Sequence, residues 1–148
     1  MDEYKLITQL KIDEGRGPLS SDGMSCLLYQ DKFGNWTIGF GRNLSAEGIT
    51  INEAQTLLMH DITSHESDLS RSLPWWHSLN DARQNALANM CFNLGIEKLL
   101  TFTTFLNFME QGEFQNAAHD LQNTEWYGQV GDRAHRIMLL IQSGEFPV

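Results

Sequence analysis

The stretch YQDKFGNWTIGFGRN, residues 29–43, constrains the fold more than any other part of the chain. Asp31 stands in a turn, DKFG, and large apolar residues then alternate with small or polar ones. Trp36, Ile38 and Phe40 fall on one face of a strand; Asn35, Thr37, Gly39 and Gly41 fall on the other. Alternation with a period of two on either side of a turn predicts an antiparallel hairpin over 26–41. Glycine inside a strand weakens it unless another backbone or a ligand must come close. The bare face beside Thr37 is therefore a candidate place of approach.

Everything around that hairpin has helical periodicity. Residues 2–13 carry Leu6, Ile7 and Leu10 on one stripe. TINE, residues 50–53, is a capping box with Thr50 as cap and Glu53 three residues on, and it opens a helix reaching about Ser72 before Pro74. Asn80 caps DARQNALANMCFNLG, whose helix stops at Gly95. Shorter helices are expected over 103–111, 113–122 and 132–142, punctuated by Gly112, Gly131 and Gly144. The pattern predicts an α+β fold in a single domain, 1–148. Its small antiparallel β-lobe covers about 15–50 and its helical lobe about 75–148 plus the N-terminal helix. The helix from 51 is expected to join them, with a ligand groove between the lobes.

A chain of 148 residues can bury a real core, and 41% apolar with 20% charged residues reads as globular. No apolar run approaches a membrane span, so no stable membrane insertion is expected. The N-terminus, MDEYKLITQLKIDEG, lacks the basic start of a secretory signal, so the chain is expected in a cytoplasm until released. A net charge of −9 argues against nucleic acid as a partner. Cys91 reads as a small core residue and Cys26 as a residue near a strand start. His60 and His65, five apart, face different sides of a helix, so no metal is expected.

Acids disfavour helix C-termini, where the last carbonyls already carry partial negative charge. Asp13 and Glu14, just before Gly15, break that rule. Glu14 lies roughly 30° from the centre of the Leu6–Ile7–Leu10 stripe, so it is expected to point inward and to hold its proton, as a general acid must. The alternative is a solvated or arginine-paired acid at a frayed end. Asp31, in an exposed turn, is expected to stay ionised and to be able to act as a base, although alone it reads as an ordinary turn residue. One protonated and one ionised carboxyl group form the working pair of a glycosidase.

IDEG followed by YQDKFGNWTIGFG resembles the phage-type lysozymes, the muramidases of tailed bacteriophages. The similarity continues through ARQNALANMCFNLG, GEFQNAAHDL and EWYGQVGDRAHRI, and so covers nearly the whole chain. The resemblance implies a lysozyme-like fold and cleavage of the β-1,4 bond between N-acetylmuramic acid and N-acetylglucosamine in peptidoglycan. It implies no cofactor, a monomer, and either a free endolysin or a virion-associated enzyme. Glu14 matches the catalytic acid, Asp31 the second carboxylate, and Thr37 the hydroxyl that with Asp31 holds the attacking water, with inversion at the sugar. Asn43, Phe92 and Asp120 match substrate-binding positions, and Arg133 matches an arginine near the acid. Trp126 and Gln129 match a supporting segment, where Trp126 reads as a core aromatic before a sugar-stacking one.

The chain departs from the family in spacing. Sixteen residues separate Glu14 from Asp31, about twice the usual number, and the excess around RGPLSSDGMSC reads as an extra loop. Asp22 thereby comes closer in sequence to Glu14, although the Thr-Ile-Gly context favours Asp31. Arg42 stands where many relatives have His. The enzyme alternative is a lytic transglycosylase on the same substrate, and the non-enzyme alternative is a virion wall-binding module.

Overall fold

Asp2 starts the first helix, α1 (Glu3–Asp13), by accepting the Lys5 backbone N–H at 3.1 Å. This is the opening of a computed structural model that describes residues 1–146. The chain divides into two compact units, one ending at Gln55 and one beginning at Thr56.

In the first unit α1 is followed by a three-stranded antiparallel sheet: β1 (Tyr29–Gln30), β2 (Trp36–Ile38) and β3 (Arg42–Asn43). The expected hairpin thus has a third strand, made possible by Gly39 and Gly41, which turn the chain back at φ +61° and +84°. Tyr29, Thr37 and Asn43 form one cross-strand row, so their side chains share a face. The polarity of that face reverses the ordinary rule. Thr37, central in the sheet, is only 4% exposed, whereas Trp36 and Phe40 are each 48% exposed.

Two further expectations are corrected in this unit. Leu6, Ile7 and Leu10 remain exposed, so the α1 stripe is not buried. Glu14, the C-cap of α1, is exposed as well and does not turn inward. Glu14 keeps helical backbone angles and donates its N–H to the Leu10 carbonyl at 2.9 Å, so it stays in line with the stripe and shares that stripe's exposure. The inserted loop is ordered by its own bonds. Leu19 bridges Cys26, Leu27 N–H donates to the Pro18 carbonyl at 2.8 Å, and Gly17 leaves room for the Tyr29 ring.

α2 (Ile51–Ser72) opens with the expected box. Glu53 N–H donates to Thr50 Oγ1 at 3.2 Å, and Thr50 N–H donates to Glu53 Oε2 at 2.7 Å. A 3₁₀ turn, Pro74–Ser78, ends in Leu79, and Asn80 then caps α3 (Asp81–Leu94) through the Arg83 N–H. α4 (Ile96–Leu99), α5 (Thr103–Glu110), α6 (Phe114–Gln122), α7 (Glu125–Val130) and α8 (Asp132–Ser143) complete the second unit. α3 packs on α8, and α6 packs on both α5 and α8.

The core lies here, with Leu87, Met90, Phe105, Leu121, Ile137 and Ile141 almost wholly removed from water. Each such side chain stabilises the unit by about 1.5–3 kcal/mol. Cys91 is part of that core; burial, reinforced by the Asp68 charge, pushes its thiol up to about 11, which makes it inert near neutrality. No helix among the described residues is long and apolar enough to cross a membrane.

Candidate active site

Asp31 organises the β1–β2 turn through its carboxylate. Oδ1 accepts the backbone N–H groups of Phe33 at 2.8 Å and Asn35 at 2.9 Å, and Oδ2 accepts Asn35 Nδ2 at 3.0 Å. These bonds, the Asn35 amide first among them, hold the carboxyl below the usual carboxylate range. An ionised carboxylate has about four lone-pair positions, so one on Oδ2 remains for a further donor. The half-buried Asp31 is therefore a fixed, charged acceptor rather than a free turn residue.

Asn35 links that acceptor to Thr37. Its carbonyl takes the Thr37 Oγ1 proton at 3.1 Å, which leaves the threonine oxygen as an acceptor. Sequence reading placed Asn35 only on a face and missed this role. Part of the signal was present: an aspartate opening a glycine-closed turn favours an Asx turn, in which its carboxylate accepts the N–H two residues on, as Asp31 does from Phe33.

Glu14 approaches the turn between β2 and β3. A Cβ built on Gly41 would lie 2.9 Å from Glu14 Oε2 and 3.4 Å from its carboxyl carbon. The close neighbour that Gly41 accommodates is thus the Glu14 carboxylate, where the sequence suggested a ligand. Gly39 has open space above it and is needed for its backbone angle alone.

Two other residues of the first unit hold turns. Asn43 Oδ1 accepts the Ala46 N–H at 3.0 Å. Arg42 donates from Nε and Nη2 to the Gly48 carbonyl at 3.1 and 3.0 Å. Asp22 sits at the tip of the inserted loop, where Ser20 Oγ and the Met24 N–H hold its carboxyl below the usual range. Among the described residues nothing ties Asp22 to Thr37 as Asn35 ties Asp31.

In the second unit the remaining candidates fall into two groups. Phe92, in edge contact with His65 at 5.4 Å, borders a cavity of about 370 Å³ together with Arg133. Asp120, Trp126 and Gln129 border a separate cavity of about 350 Å³ that is rich in threonines. Trp126 is buried, as the core reading expects; its Nε1 donates to Asn93 Oδ1 at 2.7 Å and its ring meets Phe102 edge-on. Among the described residues no cluster of His, Cys, Asp and Glu is arranged to hold a metal.

A profile of the phage lysozyme family matches residues 20–137. The chain belongs to the phage lysozyme family. Membership makes peptidoglycan hydrolysis the general class of its chemistry. Every candidate except Glu14 lies inside the matched residues. Among similar proteins, the pre-baseplate central spike protein Gp5 of Enterobacteria phage T4 is 33% identical over 70% of this chain. Two proteins of Dictyostelium discoideum named probable T4-type lysozymes 1 and 2 are 28% and 27% identical over 91% of it. The chain spans 19% of the length of the spike protein and 92% of each Dictyostelium protein.

Proposed function

We propose that this phage-lysozyme-family chain hydrolyses the β-1,4 bond between N-acetylmuramic acid and N-acetylglucosamine, with lysis of bacterial walls as the outcome. The observation that carries the reading is the Asp31–Asn35–Thr37 chain of hydrogen bonds. It leaves one acceptor position on Asp31 and the oxygen of Thr37 as an acceptor, both tied to Asn35, and a pair of acceptors is what holds a water by its protons. The lone pair of that water is then free to attack the anomeric carbon. Glu14 protonates the leaving glycosidic oxygen.

Glu14 lies against Gly41 in the β2–β3 turn, whereas Asp31 holds the β1–β2 turn. An inverting pair leaves a gap wide enough for a water, against the roughly 5 Å of a retaining pair. Inversion is the stereochemical outcome that this reading predicts. Mass spectrometry of the products from purified glycan strands tests the reading. Reducing ends that have gained one water support it, and 1,6-anhydro ends in their place overturn it in favour of transglycosylation. Clearing of outer-membrane-stripped cells is expected to accompany hydrolysis, and a protein that binds wall without turnover overturns the enzyme itself.

A further inference from the structure

Residue 35 makes three bonds in the β1–β2 turn, and only one of them depends on its being asparagine. Its backbone N–H donates to Asp31 Oδ1 at 2.9 Å, and its backbone carbonyl accepts the Thr37 hydroxyl at 3.1 Å. Any residue but proline carries both groups. The third bond is the side chain's own, from Nδ2 to Asp31 Oδ2 at 3.0 Å. The backbone donors, Phe33 and Asn35, both end on Oδ1, so the amide is what reaches the other oxygen. The last torsion of an aspartate is broad, and a carboxylate held at Oδ1 alone can swing Oδ2 about that point. The Asn35 amide closes this freedom and gives the remaining lone pair of Oδ2 one direction.

The same bond acts on protonation. The Asn35 amide is the largest influence holding Asp31 below the usual carboxylate range, ahead of the backbone N–H groups, while desolvation acts the other way. No charge takes part. Of the charged groups on neighbouring elements, Lys32 lies over the Phe33 ring and Lys11 over the Phe40 ring, Arg42 is engaged by Gly48, Glu47 and Glu53, and Glu14 lies against Gly41.

We propose that Asn35 is a positioning residue for Asp31: its side-chain amide pins Oδ2 for the attacking water and thereby sets the acid limit of turnover. This rests on the reading of Asp31 as the carboxylate that holds the water. Asp31 must be ionised to accept from that water, so the acid limb of kcat/KM against pH follows its protonation. Without the amide the carboxylate takes up its proton at a higher pH, and the acid limb moves up with it.

The test uses Asn35→Leu, Asn35→Ala, Asn35→Asp and Asp31→Asn in the full chain. The readouts are kcat/KM on soluble glycan oligomers across pH, melting temperature, and the NMR titration of the Asp31 carboxyl carbon. Leucine is branched at Cγ as asparagine is, and so keeps the volume without the donor. Asn35→Leu and Asn35→Ala are expected to lower kcat/KM by up to about a hundredfold, the scale of a misplaced active-site group. Both should move the acid limb and the carboxyl titration to higher pH and leave the alkaline limb in place. Asn35→Asp, which sets a second carboxylate against Oδ2, should move the acid limb further in the same direction. It has the shape of the native side chain and serves where melting curves show that an apolar variant does not fold. A merely structural role would lower the rate by one factor at every pH. That result, or an unmoved acid limb and carboxyl titration in the folded variants, overturns the inference. An inactive Asp31→Asn beside such a result leaves the functional reading standing, whereas an active Asp31→Asn removes the role of Asp31 and this inference together.

Discussion

Glu14→Gln exchanges a carboxylic acid for an amide of nearly the same shape that cannot release a proton. Activity is expected to fall by about 10²- to 10⁴-fold, the contribution of a general acid, and retention of a tenth of the rate would contradict the assignment. Thermal stability should rise slightly, because the substitution removes a negative charge from the C-cap of α1, a placement that costs about 0.3–1 kcal/mol. The second carboxylate separates two candidates. Asp31→Asn is expected to abolish turnover while Asp22→Asn remains active, as steady-state rates on glycan oligomers will read. Asp31 alone is joined to Thr37 through Asn35, and Asp22 holds only its own loop. The reverse result would give the inserted loop the role of the hairpin.

Elements carry their own tests. Gly39→Ala and Gly41→Ala place the same methyl group at positive φ, with a backbone cost of about 1–2 kcal/mol each. Only at Gly41 does the new atom meet Glu14. The flexible Glu14 side chain can swing aside, so both variants should fold with similar melting temperatures, but turnover should collapse in Gly41→Ala alone. The β1–β2 turn has a pH signature. Its depressed carboxyl at Asp31 contributes stability that is fully present above the unfolded value of about 3.9 and drains away as pH falls through the lower folded value. The stability gap between wild type and Asp31→Asn should therefore narrow on acidification below about pH 4, as melting curves at successive pH values will register. What the sequence disclosed follows the same division. Caps and stops at Thr50, Asn80 and Gly95 were legible because they are local hydrogen-bond chemistry. The place of Asp31 in a turn and of Thr37 on a strand was legible through the motif. The third strand, α4 and α7 were not, being too short for a period to register. The exposure of Trp36 and the burial of Thr37 inverted a rule that sequence can only apply blindly. The bond from Arg133 to Asn89 was invisible because the two lie 44 positions apart.

For the whole molecule the net charge of −9 opposes approach to an anionic wall polymer. Salt screens that repulsion over about 10 Å at 0.1 M, so lytic rate is expected to hold or rise from very low to moderate monovalent salt. A steep fall over that range, with unchanged circular dichroism, would show that local cations such as Arg42 and Arg133 outweigh the total. Of the surface acids, Glu66 and Glu113 are exposed, whereas Glu47 and Asp68 are partly answered by Arg42 and Arg71. The packing of α3 has a different reach. One side of this helix is fixed by volume at Ala82, Ala86, Leu87 and Met90, and another by bonds from Asn89 and Asn93 to other helices. A helix bound on both sides has little room to drift. Saturation mutagenesis should find α3 among the least tolerant segments, and lineages descended from this chain should change it last.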